Sequence, residues 1–109
     1  MPRKPMVVLT EAMLYVLMAF RNGEMCGIDV ADYIDRLTGG RVQIGPATLY
    51  TILGKFEKEN YIREIHVEGR KRTYRITDKG WEAYQAELTR LDQCIADSKK
   101  TLSALEEEA

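Results

Sequence analysis

A chain of 109 residues, 45% hydrophobic and 30% charged, holds one globular domain with a modest core and excludes a fibrous or disordered class. Its 16 basic and 17 acidic residues give a net charge of −1, so a case for nucleic acid must rest on how the charge is distributed. Cys26 and Cys94, far apart, make no disulfide framework; with no bilayer-length apolar run and no signal-peptide core, the expectation is a cytoplasmic protein with no membrane partner.

Residues 1–9 read as an N-terminal arm. Arg3 and Lys4 stand between two prolines and can touch phosphate, although fraying is the commoner fate of a terminus. Residues 6–9 are apolar and offer packing, a partner subunit included. Thr10 has the short hydroxyl of an N-cap, and Glu11 places an acid where the helix dipole favours one. Met13, Leu14, Leu17 and Met18 follow at helical spacing and Asn22-Gly23 stops the run, which predicts a first helix over 11–21. Ile28, Ala31, Ile34 and Leu37 predict a second over about 27–38, with Asp29, Asp32, Asp35 and Arg36 in water and Gly39-Gly40 at its end. The aspartate series lacks the loop of a calcium site and reads as a solvated face. Val42 and Ile44 alternate and predict a short strand over 41–44.

The stretch at 45–60, GPATLYTILGKFEKEN, predicts a third helix with two faces. Leu49, Ile52, Leu53 and Phe56 form one apolar stripe, while Thr48, Thr51, Lys55 and Lys58 align on another; Tyr50, Gly54 and Glu57 lie between them. Pro46 suits a first helical position, where its missing N–H costs nothing. Short hydroxyls, a tyrosine and a small residue beside a lysine suit a helix lying against a phosphate backbone. An ordinary amphipathic helix with a solvated face has the same pattern.

Beyond Asn60 the period changes. Ile65 and Val67 alternate with Glu64, His66 and Glu68, and Tyr74 and Ile76 with Thr73 and Arg75, so a hairpin of roughly 62–67 and 72–77 is expected. Its tip, Glu68-Gly69-Arg70-Lys71-Arg72, carries a basic run that is unusual on a chain without net positive charge. Thr77 and Asp78 open a last helix in which Trp81, Tyr84, Leu88, Leu91, Ile95, Ser98, Leu102 and Leu105 repeat as heptads, broken only by Ser98. At ~1.5 Å per residue it is roughly 40 Å long, more than a small domain can cover, and a second copy of the chain is the simplest cover. Residues 106–108 read as a frayed, solvated end.

The expected fold is mainly α with a small β-hairpin (α+β). It is a winged helix-turn-helix over 10–77 with a long C-terminal dimerisation helix and acidic tail over 78–109. In that architecture the third helix enters the major groove and the wing reaches adjacent phosphates. The acidic residues are expected mostly on the second helix and the tail, away from this face. The sequence also resembles the PadR family of bacterial transcription regulators, from about Leu9 through Gly80. The resemblance is carried by Ala47-Thr48-Leu49-Tyr50, by Leu53, Glu57 and Asn60-Tyr61-Ile62, and by Gly69-Arg70-Lys71-Arg72 running on to Tyr74, Thr77 and Lys79-Gly80. The single last helix is similar to the short branch of that family. The resemblance implies a homodimer bound to a palindromic operator on double-stranded DNA, acting as a repressor and released by a small-molecule effector.

Thr48, Tyr50, Thr51 and Lys55 match the family's recognition-helix positions and are expected at phosphates and base edges, against the alternative of a solvated face. Arg70 and Lys71 are expected on phosphate or in the minor groove, and Arg72 either there or paired with an acid. Tyr74 and Ile76 read as core. Leu88, Leu91, Ile95, Leu102 and Leu105 are the expected dimer seam. Multidrug-binding relatives stack flat ligands on a tryptophan of the last helix at the dimer centre. Trp81 instead lies at the helix start, which favours packing and leaves Trp81 and Tyr84 for a smaller effector pocket. His66 reads as a solvent-facing strand residue, and Cys26 and Cys94 as neither metal nor redox site. No cofactor is expected. One histidine, no Gly-rich phosphate loop and no nucleophile paired with a base leave nothing on which to build an enzyme. Two rival readings remain, a winged-helix module that binds a protein partner and a multidrug sensor with its pocket at the dimer centre.

Overall fold

In the computed structural model, described over residues 9–108 apart from the side chains of 103, 104 and 106–108, the winged domain is built around its first helix. That helix, α1 (Glu11–Arg21), is capped at Thr10, whose hydroxyl accepts the Met13 N–H at 3.1 Å. Of the expected apolar positions Met13, Leu14 and Leu17 are buried and Met18 half-buried, and Val16, Ala19 and Phe20 are buried as well, so α1 is enclosed on most sides. It packs against α2 (Gly27–Leu37), the sheet and the start of α4 (Asp78–Glu108). Residues 1–8, including the basic pair Arg3 and Lys4, lie outside the described residues. Leu9 is buried, and its N–H donates to the Glu87 carboxylate at 2.7 Å, which ties the end of the arm to α4.

Three sequence expectations need correction here. The strand over 41–44 does not form. Instead the Thr38 hydroxyl at the C-cap of α2 donates to the Ile34 carbonyl at 2.8 Å and accepts the Val42 N–H at 3.0 Å, holding an irregular turn with Val42 buried. Arg41 leaves that turn toward Glu11 and the Tyr15 hydroxyl. The missing strand is β1 (Met25–Cys26), too short to show a period-2 pattern; it pairs with β3 (Lys71–Ile76), giving an antiparallel order β1-β3-β2 with β2 (Ile62–Glu68). The core face of α2 is also rotated from the predicted one. Gly27, Val30 and Ile34 face inward, while Ile28 is 76% exposed and Leu37 half exposed. One residue is about 100° of helix, so counting the stripe from Ile28 instead of Gly27 turns its start into water.

The hairpin forms one residue longer at its tip than predicted. Ile62 pairs with Ile76 and Glu64 with Tyr74, and a bulge at Ile65 shifts the register so that His66 meets Thr73. Ile62 and Tyr74 are therefore the core side chains, and Ile65 and Val67, which carry the alternation in the sequence, are exposed.

Helix α3 (Pro46–Lys58) buries Leu49, Ile52, Leu53 and Phe56, the predicted stripe, with Pro46 in its first turn. Asn60 then takes a left-handed φ of 62°, and the chain turns into β2. The Thr77 hydroxyl accepts the Gly80 N–H at 3.0 Å, as its capping role predicts, and the hydroxyl also bonds the Asn60 carbonyl. Gly80 lies so close to Tyr61 that a Cβ there would sit on the carbonyl oxygen and 2.9 Å from its carbon. Backbone cannot yield as a side chain tip does. Gly80→Ala is therefore expected to destabilise the domain by about 2 kcal/mol and lower Tm by roughly 10 °C in a thermal unfolding scan. An unchanged Tm would contradict this packing.

Helix α4 runs for 31 residues, through the 106–108 stretch expected to fray. Tyr84 is buried, and Leu88 and Leu91 are half-buried on the chain's own core. Only part of each of these two leucines is thus left for a partner. Beyond them Ile95, Leu102 and Leu105 are 52%, 59% and 63% exposed, along one stripe of an otherwise polar rod. The Ser98 hydroxyl in this stripe donates to the Ile95 carbonyl at 2.8 Å, so its proton is engaged within its own helix.

Candidate nucleic-acid interface

Burying one stripe of α3 dictates what the opposite side offers. Thr48, Tyr50, Thr51, Gly54, Lys55 and Lys58 are all exposed. Thr51 donates its hydroxyl proton to the Ala47 carbonyl at 2.9 Å, leaving its oxygen lone pairs for an incoming donor. At the wing, Gly69 takes a φ of 62°, a conformation that favours glycine, and turns the chain between Glu68 and Lys71. Arg72 pairs with Glu64 across the hairpin at 3.5 Å, the acid-paired alternative allowed for it. Among the described residues no carboxylate lies within 4.0 Å of Arg70, Lys71, Lys55 or Lys58.

A cleft of about 770 Å³ separates α3 from the wing. Tyr50, Gly54 and Glu57, one helical stripe, line one side, and Arg70, Lys71 and Arg72 the other; Ile28 and Asp29 of α2 complete it. The fold thus brings Tyr50 to the basic tip, while Thr48, Thr51 and Lys55 belong to the adjoining outer face of α3 and do not line the cleft. Asp29 corrects the expectation that the acids of the second helix stand away from this face, and Glu57 of α3 joins it in the cleft. Asp29 accepts the Cys26 thiol proton at 3.2 Å. Near Glu57, the Tyr74 phenol is held above its ordinary pKa first by burial and then by the Glu57 carboxylate, with Arg72 opposing.

The sequence reading missed a second basic pair. Arg63 and Arg75 face each other across β2 and β3, both exposed. Like charges directly opposite are unfavourable unless water or an anion screens them. Twelve residues of sequence hide the pair, and only the strand register reveals it.

The remaining candidates are placed as follows. Trp81 stacks at 5.8 Å, tilted, on buried Tyr84, with the Arg21 guanidinium 4.8 Å from its ring centre. A cavity of about 480 Å³ is lined by Trp81, Arg21 and Asp78 but not by Tyr84, so the two aromatics do not share a pocket wall there. His66 is exposed beside Glu68. Cys26 is buried and Cys94 exposed. Among the described residues no group of three His, Cys, Asp or Glu side chains is placed to hold a metal, and no helix is long and apolar enough to cross a membrane.

Comparison with known proteins agrees with this geometry. A 37.1 kDa protein in transposon TN4556 of Streptomyces fradiae is 30% identical over 77 residues, covering 71% of this chain but 22% of that protein, so the chain spans about a fifth of its curated relative. A solved transcriptional regulator from Clostridium thermocellum superposes with a TM-score of 0.73 at 26% identity, over 81% of this chain and 89% of that one. Bacillus subtilis PadR, solved in complex with operator DNA, superposes with a TM-score of 0.64 at 24% identity, over 72% of this chain and 47% of that one. The family model described as the transcriptional regulator PadR-like family matches residues 16–86, the span from α1 through the wing into α4. The chain belongs to the PadR-like family of transcriptional regulators.

Proposed function

We propose that this chain is a homodimeric repressor that binds a palindromic operator and releases it when a small molecule binds. The observation that carries the DNA reading is the placement of Arg70 and Lys71, without a carboxylate within 4.0 Å among the described residues, across one cleft from the exposed face of α3, on a chain of net charge −1. Total charge offers no reason for such a cluster, and phosphate does. Thr48, Tyr50, Thr51 and Lys55 would enter the major groove while Arg70 and Lys71 grip the flanking backbone. Arg72 serves mainly to hold the hairpin through Glu64.

The unpartnered stripe of Ile95, Leu102 and Leu105 supports the dimer. Two α4 helices packed along it would set the α3 helices about one DNA turn apart, ~34 Å. A ligand beside Trp81, where α4 leaves the winged domain, would tilt that rod and shift the dimer toward a shape that no longer matches the operator. In bacteria such a regulator works in the cytoplasm, where the DNA is.

Selection from a pool of random duplexes tests this reading. The expected product is an inverted repeat whose half-site centres are about 10 base pairs apart. Enrichment of an unrepeated site would contradict the dimeric mode, and no enrichment would contradict sequence-specific binding. A second reading, docking of a protein, draws support from exposed Ile28 and Leu37 on α2. It predicts that the wing-tip cations are dispensable.

A further inference from the structure

Gly54 stands inside α3, where glycine is a poor helix former compared with alanine. Two reasons commonly keep a glycine in such a place, and neither holds here. It is not among the residues with positive φ. A Cβ built on it meets no atom within 4 Å, in contrast to Gly80, whose Cβ would strike the Tyr61 backbone. Nothing in the described fold therefore uses the missing side chain.

The empty space faces outward. Gly54 lines the cleft between α3 and the wing, one turn after the exposed Tyr50 ring and just before Lys55, with Arg70 and Lys71 opposite. We infer that Gly54 is the point of close approach for the sugar–phosphate backbone of one DNA strand, which runs through this cleft between recognition helix and wing. The inference rests on the DNA-binding reading above and adds to it a seat for a particular strand.

Charge sets how that strand lies. Arg70 and Lys71 on the wing side attract phosphates to the cleft, and Lys55, on the adjoining outer face of α3, attracts those of the same strand beyond it. Glu57 and Asp29 within it repel them, so the less charged sugar edge meets the bare backbone at Gly54. A methyl at this position holds the strand away from the helix axis and weakens every contact that depends on that depth. Such contacts go to the backbone, so the loss falls on all sequences alike.

The test uses full-length Gly54→Ala and Gly54→Leu, with thermal unfolding and fluorescence anisotropy on a selected duplex and a scrambled one. Gly54→Ala is expected to raise Tm by about 4–8 °C, as helix propensity requires, while weakening binding to both duplexes about tenfold. Gly54→Leu weakens both further. Wild-type affinity in Gly54→Ala, with raised Tm, overturns the inference and leaves the DNA reading standing. A lowered Tm in Gly54→Ala also overturns it, because the gap would then belong to the fold. Absence of any binding by the folded wild-type protein defeats the underlying reading instead.

Discussion

Reversing the wing-tip charges, in the double substitution Arg70→Glu and Lys71→Glu, is expected to weaken DNA binding by at least about 100-fold. Both side chains are exposed and neither has a carboxylate within 4.0 Å among the described residues; Lys71→Glu does face Glu68 across the hairpin, an exposed like-charge pair, so the fold is expected to persist with Tm lowered by about 2–4 °C. Two phosphate contacts are lost and two repulsions gained; like-charge juxtaposition at an interface costs several kcal/mol, and each 1.4 kcal/mol is tenfold. Losing two released counterions should also flatten the slope of log affinity against log salt by about two. The expected loss is similar on specific and scrambled duplexes, since backbone contacts carry no base information. Arg72→Gln should behave differently. It breaks the bond to Glu64 and loosens the hairpin, so its effect is expected on Tm as well as on affinity. Full DNA binding by the double variant would contradict the grip of the wing tip on phosphate.

The second large effect is expected at the far half of α4. Ile95→Asp with Leu102→Asp places two charges in the exposed stripe. In an isolated chain these substitutions meet water, and the winged domain should remain folded. In a dimer seam each is a buried, unpaired carboxylate that costs several kcal/mol. Sedimentation is therefore expected to show a dimer for the native chain and a monomer for the variant at micromolar concentration. Operator affinity should fall by 10²–10⁴-fold, the gain that two linked half-site contacts supply over one. A native chain that sediments as a monomer would contradict the dimer. A monomeric variant with unchanged operator affinity would show that one winged domain suffices.

The buried stripe and the helix starts around the candidate interface are legible in the sequence, because they rest on local periodicity and capping. The stripe of Leu49, Ile52, Leu53 and Phe56 fixes the buried side of α3 and hence the side left to face a ligand. Thr10 and Thr77 announce helix starts through their own hydroxyl bonds. What escaped was set by distant contacts. Met25 and Cys26 become a strand only because Tyr74 and Thr73 lie beside them. Ile65 and Val67 alternate properly and still face water, since the bulge and the position of α1 decide which face is core. Asp29, on the second helix, looked remote from the basic tip, yet the fold places it in the cleft that the tip borders. In α4 one hydrophobic period serves two purposes, which the repeat alone does not separate. Tyr84, Leu88 and Leu91 pack on the chain's own core, and from Ile95 onward the repeat stands free. Glu87, an acid outside the apolar repeat, is 4% exposed and bonded to the Leu9 N–H and to Arg90, contacts that only the fold supplies.

The most direct test of operator binding is fluorescence anisotropy on a duplex from immediately upstream of this protein's own gene, against a scrambled duplex, from about 50 to 200 mM salt. Tight binding to the upstream duplex that falls steeply with salt, with much weaker binding to the scramble, is the predicted result. A folded protein that binds both duplexes equally, or neither, would contradict an autoregulating, sequence-specific repressor.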